Sequence, residues 1–263
     1  MDIFFIFWPL FFSGSLLASE PIHSTVFQPK PAIALIIDDL GNDLQRGEQV
    51  VNLPGPIACA FLPHGVYTQR LARFAHSNNK EVMLHLPMQS MDHHALDPGA
   101  LTLDMTESVF TKTLLQDLAA VPHVSGINNH MGSLLTRHPG HMYWLMTVMH
   151  RQASLFFVDS RTTDRSVARQ IAIENGVPNL KRDVFLDVER DRAAILQQFV
   201  KLVEKAYQNG TALGIAHPYP ETLDVLESEL GNLQAYGLQL VTVQQLIELK
   251  QERRNKWHAS LFH

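Results

Sequence analysis

Residues 32–41 read AIALIIDDLG, and this stretch decides the fold. Its first six residues are apolar without a break, so no polar face is left for solvent, and a strand built from them must be covered on both sides. That is the pattern of a parallel sheet flanked by helices. The run then meets Asp38 and Asp39, followed by Leu40 and Gly41. In parallel α/β folds the carboxyl ends of the strands form the active face, so two carboxylates there are in the place where chemistry is done.

Seven further runs have the same character: IACAFL (57–62), EVMLHL (81–86), VSGI (124–127), SLFFV (154–158), VFLDV (184–188), TALGIA (211–216) and LQLVT (238–242). Amphipathic stretches lie between them. Met142, Leu145, Met146 and Met149 recur at helical spacing, as do Ile195, Phe199, Leu202 and Ala206; both stripes read as core packing. Eight βα-like units predict an α/β barrel or an open doubly wound sheet, in a single domain over 32–250. Residues 251–263 read as a polar tail, and Cys59, in an apolar run, as a small buried hydrophobe.

The chain has 263 residues, 46% hydrophobic and 18% charged, with a formal net charge of −5, one cysteine and fourteen histidines. These values exclude a disordered chain, a disulfide scaffold and a strongly basic nucleic-acid binder. Residues 1–19, beginning MDIFFIFWPLFF, have the apolar core and small-residue end of a secretory signal, although Asp2 replaces the usual basic residues. An uncleaved anchor is the alternative; Pro9 and the short run make a poor bilayer span. Residues 20–31 read as a linker. Export to a periplasm is expected on either reading, with no stable membrane span after cleavage.

The residues at the strand ends sort the histidines. EVML runs into His85; VSGI into Asn128, Asn129 and His130; SLFFV into Asp159, Ser160 and Arg161; TALGIA into His217, Pro218 and Tyr219. One Asp or His at a strand end is ordinary, but five strands ending so converge on one face. Two carboxylates and at least three imidazoles in a small volume suit a divalent cation, Zn²⁺ best, with another transition metal as the alternative. One Asp and two His leave a position for water, as catalytic zinc requires. If the strand continued regularly through Asp38 and Asp39, their side chains would point to opposite faces and do different jobs. His64 lies near the same face; His93 and His94 read as a solvated loop pair, and His76, His123, His138, His141, His150, His258 and His263 as surface.

The motifs ALIIDDLG, ACAFLPHG, EVMLHLPM, GINNHMGS, FFVDSRT and GIAHPYPET, in this order over residues 32–248, resemble the divergent polysaccharide deacetylase family of metal-dependent carbohydrate esterases. The resemblance implies a distorted seven- or eight-stranded parallel β/α barrel that hydrolyses N-acetyl groups on a polysaccharide. It implies Asp38 as catalytic base, Asp39 and His85 as metal ligands, and His217 as general acid. The superfamily's second histidine, four residues on, is replaced here by Gln89, so His130 is assigned that ligand place. Asp159 falls where an acidic residue orients the acid. The arginine expected after strand four is missing, with Asn128 or Asn129 near its place and Arg161 left to supply the charge. Asn128, Asn129, Ser160 and Tyr219 are expected to contact the glycan. The departures leave a second possibility, a catalytically inactive metal- and glycan-binding envelope protein on the same fold.

Overall fold

The computed structural model of the chain describes residues 30–92, 95–152 and 154–260. The proposed signal, most of the linker, and His93 and His94 lie outside the described residues. Nine strands are present among them: β1 (Ala32–Leu40), β2 (Ala58–Phe61), β3 (Glu81–Met88), β4 (Gly126–Met131), β5 (Phe156–Asp159), β6 (Asn179–Lys181), β7 (Val184–Phe185), β8 (Thr211–Ala216) and β9 (Gln239–Leu240). The helices are α1 (Leu44–Asn52), α2 (Thr68–Ser77), α3 (Glu107–Ala120), α4 (Pro139–Arg151), α5 (Ala168–Glu174), α6 (Arg192–Asn209), α7 (Pro220–Gly231) and α8 (Val243–Ser260). The sheet is parallel throughout and curls in the order β6-β5-β4-β3-β2-β1-β8-β7, with β9 beside the start of β1. This is the expected single-domain distorted β/α barrel.

Strand alternation divides the core in two. Ala32, Ala34 and Ile36 face the barrel interior with Ala58, Ala60, Met83, Phe156, Val158, Leu213 and Ile215. Ile33, Leu35 and Ile37 face the helices, where the Met142–Leu145–Met146–Met149 and Phe199–Leu202–Ala206 stripes pack as expected. Val243, Leu246 and Ile247 of α8 complete the inner cluster with Val241, at the end opposite the strand tips. The interior rows thus begin on a dry floor, and only their last members reach polar surroundings.

Three expectations are corrected. An extra strand, β6, lies in NLK, too short and polar to be seen as one. Residues 251–260, expected as tail, continue helix α8. His141, expected at the surface, is buried against Phe110 and Trp144. No helix among the described residues is long and apolar enough to cross a membrane.

Glu81, at the start of β3, caps α8 by accepting from the backbone N–H groups of Val243 at 2.6 Å and Gln244 at 3.1 Å. Burial pushes its pKa up to about 7, against the pull of those two N–H groups. A raised folded-state pKa makes Glu81's contribution fullest below its unfolded value, with loss as pH rises through about 7. Thermal unfolding followed by circular dichroism from about pH 5 to 8 is expected to show a shallower decline for Glu81→Gln than for the wild type.

Candidate active site

The inward rows, followed to their ends, assemble the site. After Ala32, Ala34 and Ile36 the next inward residue of β1 is Asp38; after Met83 comes His85; after Gly126 come Asn128 and His130; after Leu213 and Ile215 comes His217. Asp38, His85, His130 and His217, with Ser160, Arg161, Arg182 and Phe185, line a pocket of about 390 Å³, and Asn128 lies buried behind them.

Asp39 is out of step with this alternation, and its backbone explains how it still arrives. The β1–β2 register shifts between Ile37 and Leu40, a bulge, and Asp39 itself has φ 58°. The extra residue and the left-handed turn swing Asp39 to the face that Asp38 occupies, so the opposite orientation expected of a regular strand does not hold. Both carboxylates address one imidazole: His85 Nδ1 is 3.6 Å from Asp38 Oδ1, and His85 Nε2 is 3.2 Å from Asp39 Oδ1.

His130 closes a triangle. Its Nδ1 lies 3.0 Å from Asp39 Oδ1 and 3.0 Å from His85 Nε2. Donors about 2.0–2.2 Å from a tetrahedral cation stand about 3.3 Å apart, close to these separations. The proton assignment sharpens the fit. Asn128 Nδ2 donates to Asp38 Oδ1 at 2.8 Å, which leaves Asn128 Oδ1 to accept from His85 Nδ1 at 2.9 Å. His130 Nε2 likewise faces Asp97 Oδ2 at 3.1 Å. In the neutral His85 ring the outer nitrogen therefore carries the proton, and the inner nitrogens of both rings lie 3.2 and 3.0 Å from Asp39 Oδ1, a buried oxygen with no hydrogen-bond partner of its own. Three donor atoms converging in this way form a group that could hold a metal ion. A proton is the other cation that can sit there: burial pulls the His85 pKa down, yet Asp38 and Asp39 outweigh it and hold it at about 9. Burial would raise Asp39, but His130 and His85, which when protonated address its carboxylate, hold it far below the usual carboxylate range.

Asp38 is buried and its pKa is raised, chiefly by that burial, with His85 and His217 opposing. His217 Nε2 is 3.7 Å from Asp39 Oδ2. Its Nδ1 donates to Asp187 Oδ1 at 3.0 Å, while Asp187 Oδ2 accepts from the His217 backbone N–H at 2.6 Å and Thr222 Oγ1 at 3.0 Å. Burial lowers the His217 pKa, but the Asp187 hydrogen bond and the Asp38, Asp39 and Asp187 charges raise it overall.

Asp187, not Asp159, therefore orients His217. Strand β7 lies beside β8 in the sheet, whereas β5 is four strands beyond β1 on the other side. Asp159 points off the inward row and accepts from Arg161 N–H at 2.9 Å and Ser166 Oγ at 2.8 Å, pinning its own loop. Asp187 stands in plain view in VFLDV, where it reads as strand interior. Asn128 is fully buried between His85, Asp38 and Ser160, so it supports the site and has no face for a glycan. Asn129 lines the pocket while tying Met131 O to Ser160 N–H. Tyr219 stands beside His217, its ring 3.7 Å from the Arg190 guanidinium. Arg161 lines the pocket, but Arg182, on the crossover after β6, is a second cation there that no sequence pattern marks; burial lowers its pKa, and the Asp38 and Asp159 charges oppose that. Gln89 does not reach the triad; its side chain accepts from Leu103 N–H at 2.8 Å.

The family model described as divergent polysaccharide deacetylase matches residues 35–247, and the chain belongs to that family. An uncharacterized protein of Haemophilus influenzae is 33% identical over 218 residues, 83% of this chain and 78% of that one. Among solved structures, uncharacterized ATU2773 from Agrobacterium tumefaciens C58 superimposes with a TM-score of 0.80 at 22% identity, covering 82% of this chain and 89% of that one. The Bacillus subtilis peptidoglycan deacetylase PdaC shares the fold at TM-score 0.53 and 16% identity, over 89% and 98% of the two chains. So does BA3943 of Bacillus anthracis, described as a CE4 family pseudoenzyme, at TM-score 0.51 and 14% identity, over 83% and 66%.

The left-handed backbone at Asp39 is testable apart from chemistry. Asn tolerates that conformation and a β-branched residue does not. Asp39→Asn is expected to melt near the wild type in the metal-free state, and Asp39→Val to lose about 1–3 kcal/mol by denaturant unfolding.

Proposed function

We propose that this chain is an exported, divalent-metal-dependent hydrolase that removes N-acetyl groups from an envelope or exported polysaccharide, with Zn²⁺ as the fitting cation and residues 1–19 as the export signal. The observation that carries the reading is the pocket's division of labour. A buried carboxylate and a carboxylate-held imidazole flank three ligand atoms whose lone pairs converge. Family membership supplies the reaction class.

Asp39, His85 and His130 would hold the cation, which when bound supplies Lewis-acid polarisation of an acetyl carbonyl and an acidified water. Asp38 takes a proton from the attacking water; its raised pKa makes it a stronger base than an exposed carboxylate, and Asn128 fixes the oxygen that does not receive the proton. His217 delivers a proton to the departing amine from Nε2. Asp187 holds the ring through Nδ1 and favours its charged form. Arg182, close enough to Asp38 for their charges to interact, contributes positive charge on the pocket's other wall.

The second reading, an inactive glycan-binding protein, draws on Gln89 in place of a ligand and on the pseudoenzyme that shares the fold. It predicts zinc binding without acetate release, and a biological phenotype that survives Asp38→Asn.

With zinc-loaded protein and N-acetylated glycan oligomers, acetate release is the deciding measurement. Asp38→Asn and His217→Ala are each expected to lower kcat by about 10²–10⁴. The sign of the pH profile is set by the two roles: activity falls on the acid side as Asp38 gains a proton and on the alkaline side as His217 loses one. Both limbs sit above the ordinary values of their groups, because both pKa values are raised. Asp187→Asn is expected to move the alkaline limb downward.

A further inference from the structure

His130 has the least support of the three ligand residues. It stands near the open end of β4, directly before Met131, whose φ is 52°, and its side chain is 15% exposed against 3% for His85. The outer nitrogen of His85 is held by a buried amide; that of His130 is met only by Asp97, from a loop that belongs to no strand or helix.

That loop is built to deliver one side chain. At its base Gln89 N–H donates to Leu101 O and Leu101 N–H to Pro87 O, both at 2.9 Å, and Gln89 Oε1 accepts from Leu103 N–H. At its tip Ala100 N–H donates to Asp97 O at 3.0 Å, a tight turn that includes Gly99 at φ 84°. The turn rests on a His–Asp pair: His64 Nε2 is 2.8 Å from Oδ1 of Asp117, which is fully buried on α3. A Cβ on Gly99 would overlap Asp117 Oδ1 and stand 2.9 Å from His64 Nε2, so the glycine lets the turn lie flat on the pair. His64, Asp117 and Gly99 thus fix where Asp97 stands.

We propose that Asp97 is the positioning residue of the metal site, holding His130 with its proton on Nε2 and its Nδ1 lone pair aimed at Asp39 and His85, with the His64–Asp117 pair as the base that sets Asp97's place. The inference rests on the metal-dependent reading above. A carboxylate behind a ligand histidine fixes the tautomer and makes the ring a stronger donor, and losing such a partner commonly costs about 10–100-fold in metal affinity. Position 89 takes part by chain geometry: where a further imidazole would act as ligand, a glutamine clamps the loop that steadies the replacement ligand.

The test uses the full exported chain, with zinc affinity measured by competition against a chromophoric chelator and ring protonation by NMR of ¹⁵N-histidine-labelled protein. Asp97→Ala is expected to weaken zinc binding about tenfold or more and to mix the two His130 tautomers, with thermal unfolding of the metal-free protein unchanged. Asp97→Asn, whose side-chain oxygen still accepts from Nε2–H, is expected to restore the tautomer and part of the affinity. Gly99→Ala touches no ligand and is expected to weaken zinc binding in the same direction. Unchanged affinity in Asp97→Ala, beside a wild type that binds zinc, overturns the positioning role alone. A wild type that binds no zinc overturns the metal reading and this inference with it.

Discussion

Two imidazole nitrogens and a carboxylate oxygen lie within 3.2 Å of one another, and their lone pairs repel unless a proton or a metal cation sits among them. Everything around the site answers to that constraint. The outer nitrogens of both rings meet acceptors, the bulge in β1 turns Asp39 inward, and Asn128 uses its amide to keep Asp38 and His85 in place. Asn128, behind His85, is itself a fully buried polar group, and such groups are costly unless every partner is present.

The fold is legible in the sequence because strand alternation and burial say the same thing twice. Doubly buried runs announce a parallel sheet, and reading every second residue of 32–38 leads straight to Asp38. The same reading gathers His85, His130 and His217. It fails where the chain leaves regular geometry. No periodicity reveals that a bulge at residues 38–39 puts neighbouring carboxylates on one face. Asp159 stands out over Asp187 in the sequence because distance along the chain says nothing about which strand neighbours β8; only sheet order decides that. Arg182 escapes notice because it lies on the crossover from a three-residue strand to a two-residue one, where no pattern can form.

Gln89 illustrates how a substitution reads differently in one dimension and in three. Along the sequence it is a lost ligand. In the fold it accepts from Leu103 N–H at the foot of a loop whose turn meets His130 from behind. The second imidazole of the triad comes from the neighbouring strand, as His130 of β4.

The seam of the sheet carries a mechanical consequence. Strands β6 and β7 are its two ends, and residues 182 and 183 join them covalently, without a ladder between them among the described residues. Each end strand is short and has a single neighbour, so parting the sheet there breaks few hydrogen bonds, whereas β1, β3 and β8 are held along both edges or most of their length. What closes the seam instead is the pair of joining residues: Arg182 N–H donates to Asp159 O at 3.0 Å and Asp183 N–H to Leu213 O at 2.9 Å, so one covalent link hangs the Arg182 wall of the pocket from β5 on one side and β8 on the other.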